Sequence, residues 1–183
     1  MTKKPTILNQ KTIATTQLFH IETLEIQFNN GEIRNYERLS RSTNSGAVLI
    51  VPMLDNETVL LIKEYSAGVD RYEIGLPKGK VDLNESFLEA ANRELKEEIG
   101  FGARKLHHLS SLSLAPSYLQ HTTEIIIAQD LYLEKLTGDE PEELEVIPWN
   151  INKINELLVT EICTEARSIA ALFMTLEYLK SYI

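Results

Sequence analysis

The feature that most constrains this 183-residue chain is the stretch from 79 to 101, GKVDLNESFLEAANRELKEEIGF. It predicts a helix that begins at Asn84 or Glu85, because Asn84 is a good N-cap and Glu85 favours the positive end of the helix dipole. Gly100 predicts the end of this helix near Ile99. Apolar residues at helical spacing indicate the face that packs on the core. They are Phe87, Leu88, Ala91, Leu95 and Ile99.

A group of glutamates lies at the edge of this apolar face. Glu94 and Glu98 are one helical turn apart, and Glu97 lies beside them. Like charges at this spacing each cost about 0.2–0.5 kcal/mol. Arg93 can pair with Glu97 or with Glu89, but one arginine cannot neutralise the whole cluster. A divalent cation could, since Mg²⁺ takes oxygen ligands and is often held by a few carboxylates with substrate phosphates. The cluster indicates either a metal site or a solvated acidic helix.

The complete stretch fits the pattern G-x5-E-x7-R-E-U-x-E-E-x-G-U, where U is an apolar residue, and this is the motif of the Nudix hydrolases. A chance match in a chain of this length has odds on the order of one in a million. The chain therefore resembles that family. The resemblance implies an α/β fold, a Nudix α/β/α sandwich with a mixed β-sheet. The matching residues are Gly79, Glu85, Arg93, Glu94, Leu95, Glu97, Glu98, Gly100 and Phe101.

The resemblance also implies a metal-dependent pyrophosphohydrolase that uses Mg²⁺, with Mn²⁺ as a substitute. Glu94 and Glu98 would be the main ligands, and the carbonyl of Lys78 would be another. Glu97 would share a metal ion or position the attacking water, and Arg93 would orient it. Both Glu97 and Arg93 are therefore candidate catalytic residues.

Three further residues of the motif are expected to be structural. Gly79 and Gly100 would shape the backbone at the two ends of the stretch, and Glu85 would tie down the loop before the helix by pairing with Arg93. Glycine suits the first of these positions because the segment RYEIGLPKGK, predicted to be a loop, must approach a ligand closely.

A second acidic segment, TGDEPEELEVIPW at 137–149, predicts a loop that enters a short strand. Its charge alone indicates a solvated loop. Within the family, however, the chain resembles the ADP-ribose pyrophosphatase-like branch, in which an acidic loop here reaches the metal site. By position, Glu142 would be an additional metal ligand. Glu140 would be the general base, with Glu97 as the alternative.

This branch acts on small nucleoside diphosphate derivatives, so the resemblance implies cleavage of compounds such as ADP-ribose, NADH and diadenosine triphosphate to AMP and a second phosphate. Glu73 is as well explained by a structural salt bridge, and Tyr118 could stack on a base or simply pack. Pro116 lies where a proline is typical of the ADP-ribose-cleaving enzymes. The candidate substrate-binding residues are Lys63, Arg71, Glu73, Pro116 and Tyr118.

The chain is predicted to have two parts. Residues 1–45 read as a β-rich arm with strands between 6 and 40, and the resemblance implies that this arm joins two subunits of a homodimer. A sheet folded on its own core is the alternative. Residues 46–183 would form the Nudix domain. Its predicted elements are buried strands within 46–66, strands at 105–114 and 123–133, and helices at 150–158 and 163–181.

Composition narrows the function classes. A net charge of −9 argues against a nucleic-acid partner, and no apolar run is long enough to predict a membrane span. The lone cysteine, Cys163, fits a reducing, cytoplasmic setting. Two rivals remain: a module that senses ADP-ribose without cleaving it, and an RNA 5′-pyrophosphohydrolase. The intact motif argues against the sensing module, and the net negative charge argues against the RNA enzyme.

Overall fold

The computed structural model describes residues 3–40 and 46–181. Contacts divide the chain into two compact units. The first comprises Met1–Asn44 with Ser113–Thr122, and the second comprises Ser45–Leu112 with Thr123–Ile183. The whole of the motif-bearing stretch lies in the second unit.

The first unit is built on an antiparallel sheet of three strands that lie side by side in chain order. They are β1 (Thr6–Thr15), β2 (His20–Gln27) and β3 (Ile33–Ser40). The strands predicted between 6 and 40 are confirmed. Gly31 has a φ of 86° in the turn between β2 and β3, a conformation that glycine adopts without steric cost. The carbonyl of Tyr118 accepts a hydrogen bond of 2.8 Å from the Leu39 N–H, which ties the second segment of the unit to the sheet.

Two further sheets follow. Their strands are β4 (Ala47–Pro52), β5 (Thr58–Ser66), β6 (Arg71–Gly75), β7 (Lys78–Lys80), β8 (Phe101–Ser113), β9 (Thr122–Leu133) and β10 (Glu145–Asn150). The larger of these two sheets has four strands in the order β7-β4-β9-β8. In it, β4 runs parallel to β9 but antiparallel to β7. The second has the order β10-β5-β6 and is antiparallel throughout. The predicted mixed sheet is confirmed.

Helices cover both faces of the strands. They are α1 (Phe87–Glu98), α2 (Ile154–Leu158) and α3 (Ala166–Ser181), with a 3₁₀ turn at Ile151–Lys153. Along β4, Val48 and Ile50 pack in the apolar cluster that contains α1, whereas Leu49 and Val51 pack in the cluster that contains α2 and α3. This alternation follows from the two-residue period of a strand. It produces the predicted α/β/α sandwich. No helix within the described ranges combines the length and the hydropathy of a membrane span.

The predicted start of α1 was wrong. The N-cap is Ser86, whose hydroxyl accepts from the Glu89 N–H while the Glu89 carboxylate accepts from the Ser86 N–H. This capping box gives hydrogen-bond partners to two backbone N–H groups at the start of the helix, so it defines the start of the helix better than Asn84 could. Asn84 lies outside the helix with a φ of 68°. Phe87 therefore lies in the first turn and remains 43% exposed instead of joining the core.

Other predicted boundaries also need correction. The segment predicted as a loop before the motif contains β6 and β7, because its backbone pairs with β5 and β4. Strand β8 begins at Phe101, directly after the turn at Gly100, where φ is 75°. Helix α3 begins at Ala166 rather than at Cys163, which is buried before the helix starts.

Candidate active site

The backbone of β7 lies directly against α1. A β-carbon at Gly79 would overlap the carboxylate of Glu94. Any larger residue would displace this carboxylate from its position, which explains the fixed glycine of the motif. Next to it, the Lys78 N–H donates a hydrogen bond of 3.0 Å to Glu98 Oε2. The two glutamates predicted to be the main ligands therefore face one short piece of backbone.

Arg93 joins the helix to the loop before it. Its guanidinium donates to both oxygens of Glu85, at 3.0 and 3.1 Å, so the predicted pair is confirmed. It also donates to Glu94 Oε1 at 2.8 Å and to Glu97 Oε2 at 2.9 Å. The planar fork of arginine suits this multiple recognition of carboxylates. The alternative pairing with Glu89 was wrong, because that residue caps the helix.

The electrostatics of α1 depart from those of a solvated helix. Desolvation raises the pKa of Glu98 to about 8, and the nearby charges of Glu94 and Glu64 act in the same direction. Desolvation also raises the pKa of Glu94 to about 7, although Arg93 opposes this shift. A site that shifts carboxylate pKa values this far is a candidate functional site.

The chemistry of the donors fits a hard divalent cation. Within residues 3–40 and 46–181, no three His, Cys, Asp or Glu side chains already converge as a metal site. Nonetheless, Glu94, Glu97 and Glu98 supply the oxygen donors that Mg²⁺ prefers. Burial and mutual repulsion raise the pKa values of Glu94 and Glu98, and a bound cation would relieve that repulsion. The solvated acidic helix is thus the poorer description of α1.

An open cleft of about 640 Å³ adjoins these carboxylates. Ligand sites commonly measure roughly 300–1,000 Å³. Helix α1, β7 and the acidic segment after β9 all contribute to its lining. The lining includes Lys78, Gly79, Arg93, Glu94, Glu97, Glu98 and Glu140. The structure therefore brings the candidate base Glu140 into the same cleft as the α1 glutamates.

The acidic loop, defined here as residues 137–144, approaches α1 closely at Gly138. A β-carbon there would overlap the Glu140 carboxylate and would lie 3.4 Å from the β-carbon of Glu97. Glu142 lies further along the loop, where it lines an adjoining cavity together with Glu97. Its carboxylate accepts a hydrogen bond of 2.7 Å from the hydroxyl of Tyr72.

Two of the predicted substrate-binding residues form a structural ion pair instead of lining the cleft. Arg71 donates to Glu73 at 2.6 Å, and buried Glu73 also accepts from the backbone N–H and the hydroxyl of Thr164, each at 2.9 Å. This favours the structural reading of Glu73. Lys63 pairs with Glu145 at 3.3 Å, and both side chains are exposed.

The other two, Pro116 and Tyr118, belong to the first unit. The side chain of Tyr118 is 57% exposed, and its backbone supports β3. Its role in stacking on a base, and the role of Pro116, stay predictions.

Sequence reasoning missed Glu64, which lies in the cleft and accepts a hydrogen bond of 2.5 Å from Lys78 Nζ. The signal was present in the alternation of β5. Leu60 and Ile62 pack towards α1, so the next residue on that face is Glu64. The side chain of Lys78, and not only its carbonyl, therefore belongs to the site.

Comparison with known proteins agrees with this geometry. Residues 43–173 match the NUDIX domain, and residues 5–38 match the NudE-type Nudix hydrolase N-terminal domain. The chain is 49% identical over 178 residues to the ADP compounds hydrolase NudE of Escherichia coli (strain K12), covering 97% of this chain and 95% of that protein.

Two further comparisons agree with this result. The ADP-ribose pyrophosphatase of Bacillus subtilis (strain 168) is 25% identical over 169 residues, covering 90% of this chain and 91% of that protein. A crystal structure of an ADP compounds hydrolase superposes with a TM-score of 0.92 and 48% identity, covering 100% of this chain and 97% of the other.

Proposed function

This chain belongs to the Nudix hydrolase family, and from that premise we propose that it hydrolyses the diphosphate bond of ADP-linked compounds. The products are AMP and the phosphate of the other group. One observation carries the proposal: Glu94 and Glu98, one turn apart, face the β7 backbone in a cleft that Glu97 and Glu140 also line. The ADP compounds hydrolase and the ADP-ribose pyrophosphatase among its relatives support the choice of substrate class.

Diphosphate hydrolysis requires a placed water and a stabilised leaving phosphate more than covalent chemistry by the protein. The water oxygen bonds to one phosphorus as the bridging P–O bond breaks, and the bridging oxygen leaves with the other phosphate. Glu140 takes the proton of the water, with Glu97 as the alternative base. Arg93 holds Glu97 at 2.9 Å and so fixes its orientation.

The residues that would hold the metal are the α1 glutamates, Glu142 and the carbonyl of Lys78. Mg²⁺, or Mn²⁺ in its place, would neutralise phosphate oxygens when bound. In the free protein, the Lys78 N–H hydrogen bond and the Arg93 fork keep the α1 carboxylates in place. Lys78 Nζ, which pairs with Glu64, supplies a positive charge in the cleft that can meet a phosphate.

The first unit supports a homodimer as part of the same proposal. Its sheet and the connection between β1 and β2 leave large apolar side chains substantially exposed in the single chain, and exposed apolar patches often mark protein interfaces. They include Ile7, Leu8, Ile13, Leu18, Phe19 and Ile33. Removal of residues 1–40 is therefore expected to convert a dimer to a monomer in sedimentation. A truncated protein that still sediments as a dimer would place the interface elsewhere.

A cytoplasmic location completes the proposal. Cys163 is the single cysteine of the chain and is buried with a free thiol. Desolvation raises its pKa to about 11, which keeps the thiol protonated and unreactive. A reducing compartment suits a chain without disulfide bonds.

The test is product analysis in Mg²⁺ with equal concentrations of ADP-ribose, NADH, diadenosine triphosphate and a 5′-triphosphate RNA. AMP should form from the adenine compounds, and Glu98→Gln should abolish it. Release of diphosphate from the RNA alone would contradict the substrate class. Tight ADP-ribose binding by calorimetry without cleavage would identify a sensing module instead.

A further inference from the structure

The exposed end of the β5-β6 hairpin holds a tyrosine in a fixed position. Tyr65 on β5 is the register partner of Tyr72 on β6, and their rings meet edge to face with centroids 5.7 Å apart. Lys63 lies two residues before Tyr65, on the same face of the strand, with its Nζ 5.7 Å from the centre of the Tyr72 ring. Both contacts are favourable for an aromatic ring. The Tyr72 ring is therefore held by two neighbours.

The hydroxyl of this ring reaches the acidic loop. It donates a hydrogen bond of 2.7 Å to Glu142 Oε1, across 70 positions of sequence. A phenol has one proton to donate, and an ionised carboxylate has two accepting oxygens. Tyr72 therefore occupies one oxygen of Glu142 and leaves the other available to a ligand.

Two other described contacts hold the base of the same loop. The Leu136 N–H donates to the Lys96 carbonyl at 3.0 Å, and Lys135 Nζ pairs with Glu143 at 2.6 Å between two exposed side chains. Exposed ion pairs contribute little, about 0–1 kcal/mol. Tyr72 differs because it contacts the loop from β6, far along the chain, and at the residue that lines the cavity with Glu97.

We propose that Tyr72 is a positioning residue that orients Glu142 beside the α1 glutamates and holds the acidic loop over the cleft. The inference rests on the proposed function, because Glu142 is a proposed metal ligand. Hydrogen-bond partners of metal-binding side chains typically change metal affinity or activity by about 10–100-fold when they are removed.

The test compares Tyr72→Phe with a matched control, Tyr65→Phe. Both variants keep the ring and lose one hydroxyl of the same hairpin, but the Tyr65 hydroxyl donates to Asp70 instead of to the loop. Hydrogen exchange in the metal-free protein is the first measurement. Peptides that cover 137–144 should exchange faster in Tyr72→Phe and at the parent rate in Tyr65→Phe. Equal exchange in all three proteins would overturn the proposal.

Turnover is the second measurement. Tyr72→Phe should raise the Mg²⁺ concentration needed for half-maximal hydrolysis of ADP-ribose by about 10-fold or more, while Tyr65→Phe should match the parent. In a Glu142→Ala background, Tyr72→Phe should cause no further loss, since Tyr72 acts through Glu142. An additional loss of equal size in that background would contradict the inference. A parent protein without turnover would count against the proposed function, while the exchange measurement would still decide the role of Tyr72.

Discussion

Helix α1 and the acidic loop bring carboxylates to the same cleft by opposite means. The helix fixes Glu94 and Glu98 through its own spacing, a capping box and the Arg93 fork, with Glu94 buried. The loop presents Glu140 and exposed Glu142, and its position depends on partners from other elements. One region is thus organised before any ligand arrives. The other is held by a few contacts, as expected of a segment that adjusts on binding.

The largest effect should come from the organised region. Glu98→Gln keeps the size of the side chain and its acceptor for the Lys78 N–H but removes the charge that a cation requires. Turnover of ADP-ribose should fall by more than about 100-fold, beyond the range usual for indirect partners of a metal. Glu177→Gln, on the exposed surface of α3, is the matched control. Turnover within a few-fold of the parent would remove Glu98 from the set of key ligands.

A smaller loss should follow from the loop. General bases typically contribute about 10²–10⁴-fold, and the lower end applies here because Glu97 can serve as an alternative base. Glu140→Gln should therefore reduce kcat by about 100-fold. Glu143→Gln, which disrupts an exposed pair with Lys135, should leave kcat within about two-fold of the parent. Full activity of Glu140→Gln together with an inactive Glu97→Gln would assign the base to the helix instead.

The pH dependence of stability should also distinguish helix α1 from the acidic loop. In the folded, metal-free protein the pKa of Glu98 is raised to about 8 from an ordinary value of 4.5, so the folded state binds the proton more tightly than the unfolded state. Its contribution to stability is therefore full below pH 4.5 and is lost as the pH rises to about 8. Thermal unfolding of Glu98→Gln should show a shallower decline over this window.

Addition of Mg²⁺ provides the complementary arm of this experiment. A cation that binds only the folded protein stabilises it by mass action. It should therefore raise the unfolding temperature of the parent most at the alkaline end of the window, where Glu98 is ionised. Identical pH profiles for the parent and Glu98→Gln would show that Glu98 is not desolvated in solution.

The smallest effect should come from the cap of α1. Ser86→Ala removes the hydroxyl that accepts from Glu89 N–H and should lower the free energy of unfolding by about 1 kcal/mol in urea. Turnover should change little, because Arg93 and the packing of Leu95 still hold the helix in place. Ser86→Thr retains a hydroxyl that can both accept from the Glu89 N–H and donate to the Glu89 carboxylate, and it should restore the stability. A large loss of turnover in Ser86→Ala would mean that the cap also sets the positions of the glutamates.

The same contrast explains what could be predicted from the sequence. Local spacing was sufficient to place Glu94, Glu97 and Glu98 on one edge of a helix, and the apolar runs were sufficient to predict β4, β5 and β9. Strands β6 and β7 were predicted to be a loop, because they are short and have no apolar run. The start of the helix was misjudged because Asn84 and Ser86 are both good caps, and only the reciprocal pairing with Glu89 decides between them.

Contacts between distant segments could not be predicted in this way. The bond from Tyr72 to Glu142 and the pairing of Glu73 with Thr164 each join positions about 70 to 90 residues apart. No local periodicity links such positions. Glu64 lies between these two cases. The alternation of β5 predicts which face of the strand carries its side chain, but not that its partner is Lys78.

The most direct test of this account is a titration of the metal-free protein with Mn²⁺, in which the free ion is followed by electron paramagnetic resonance. The parent should bind the ion, and Glu142→Ala should still bind it, with a lower affinity. Glu98→Gln should show no saturable binding over the range in which the parent saturates. Equal binding by the parent and by Glu98→Gln would contradict the claim that the organised face of α1 holds the metal.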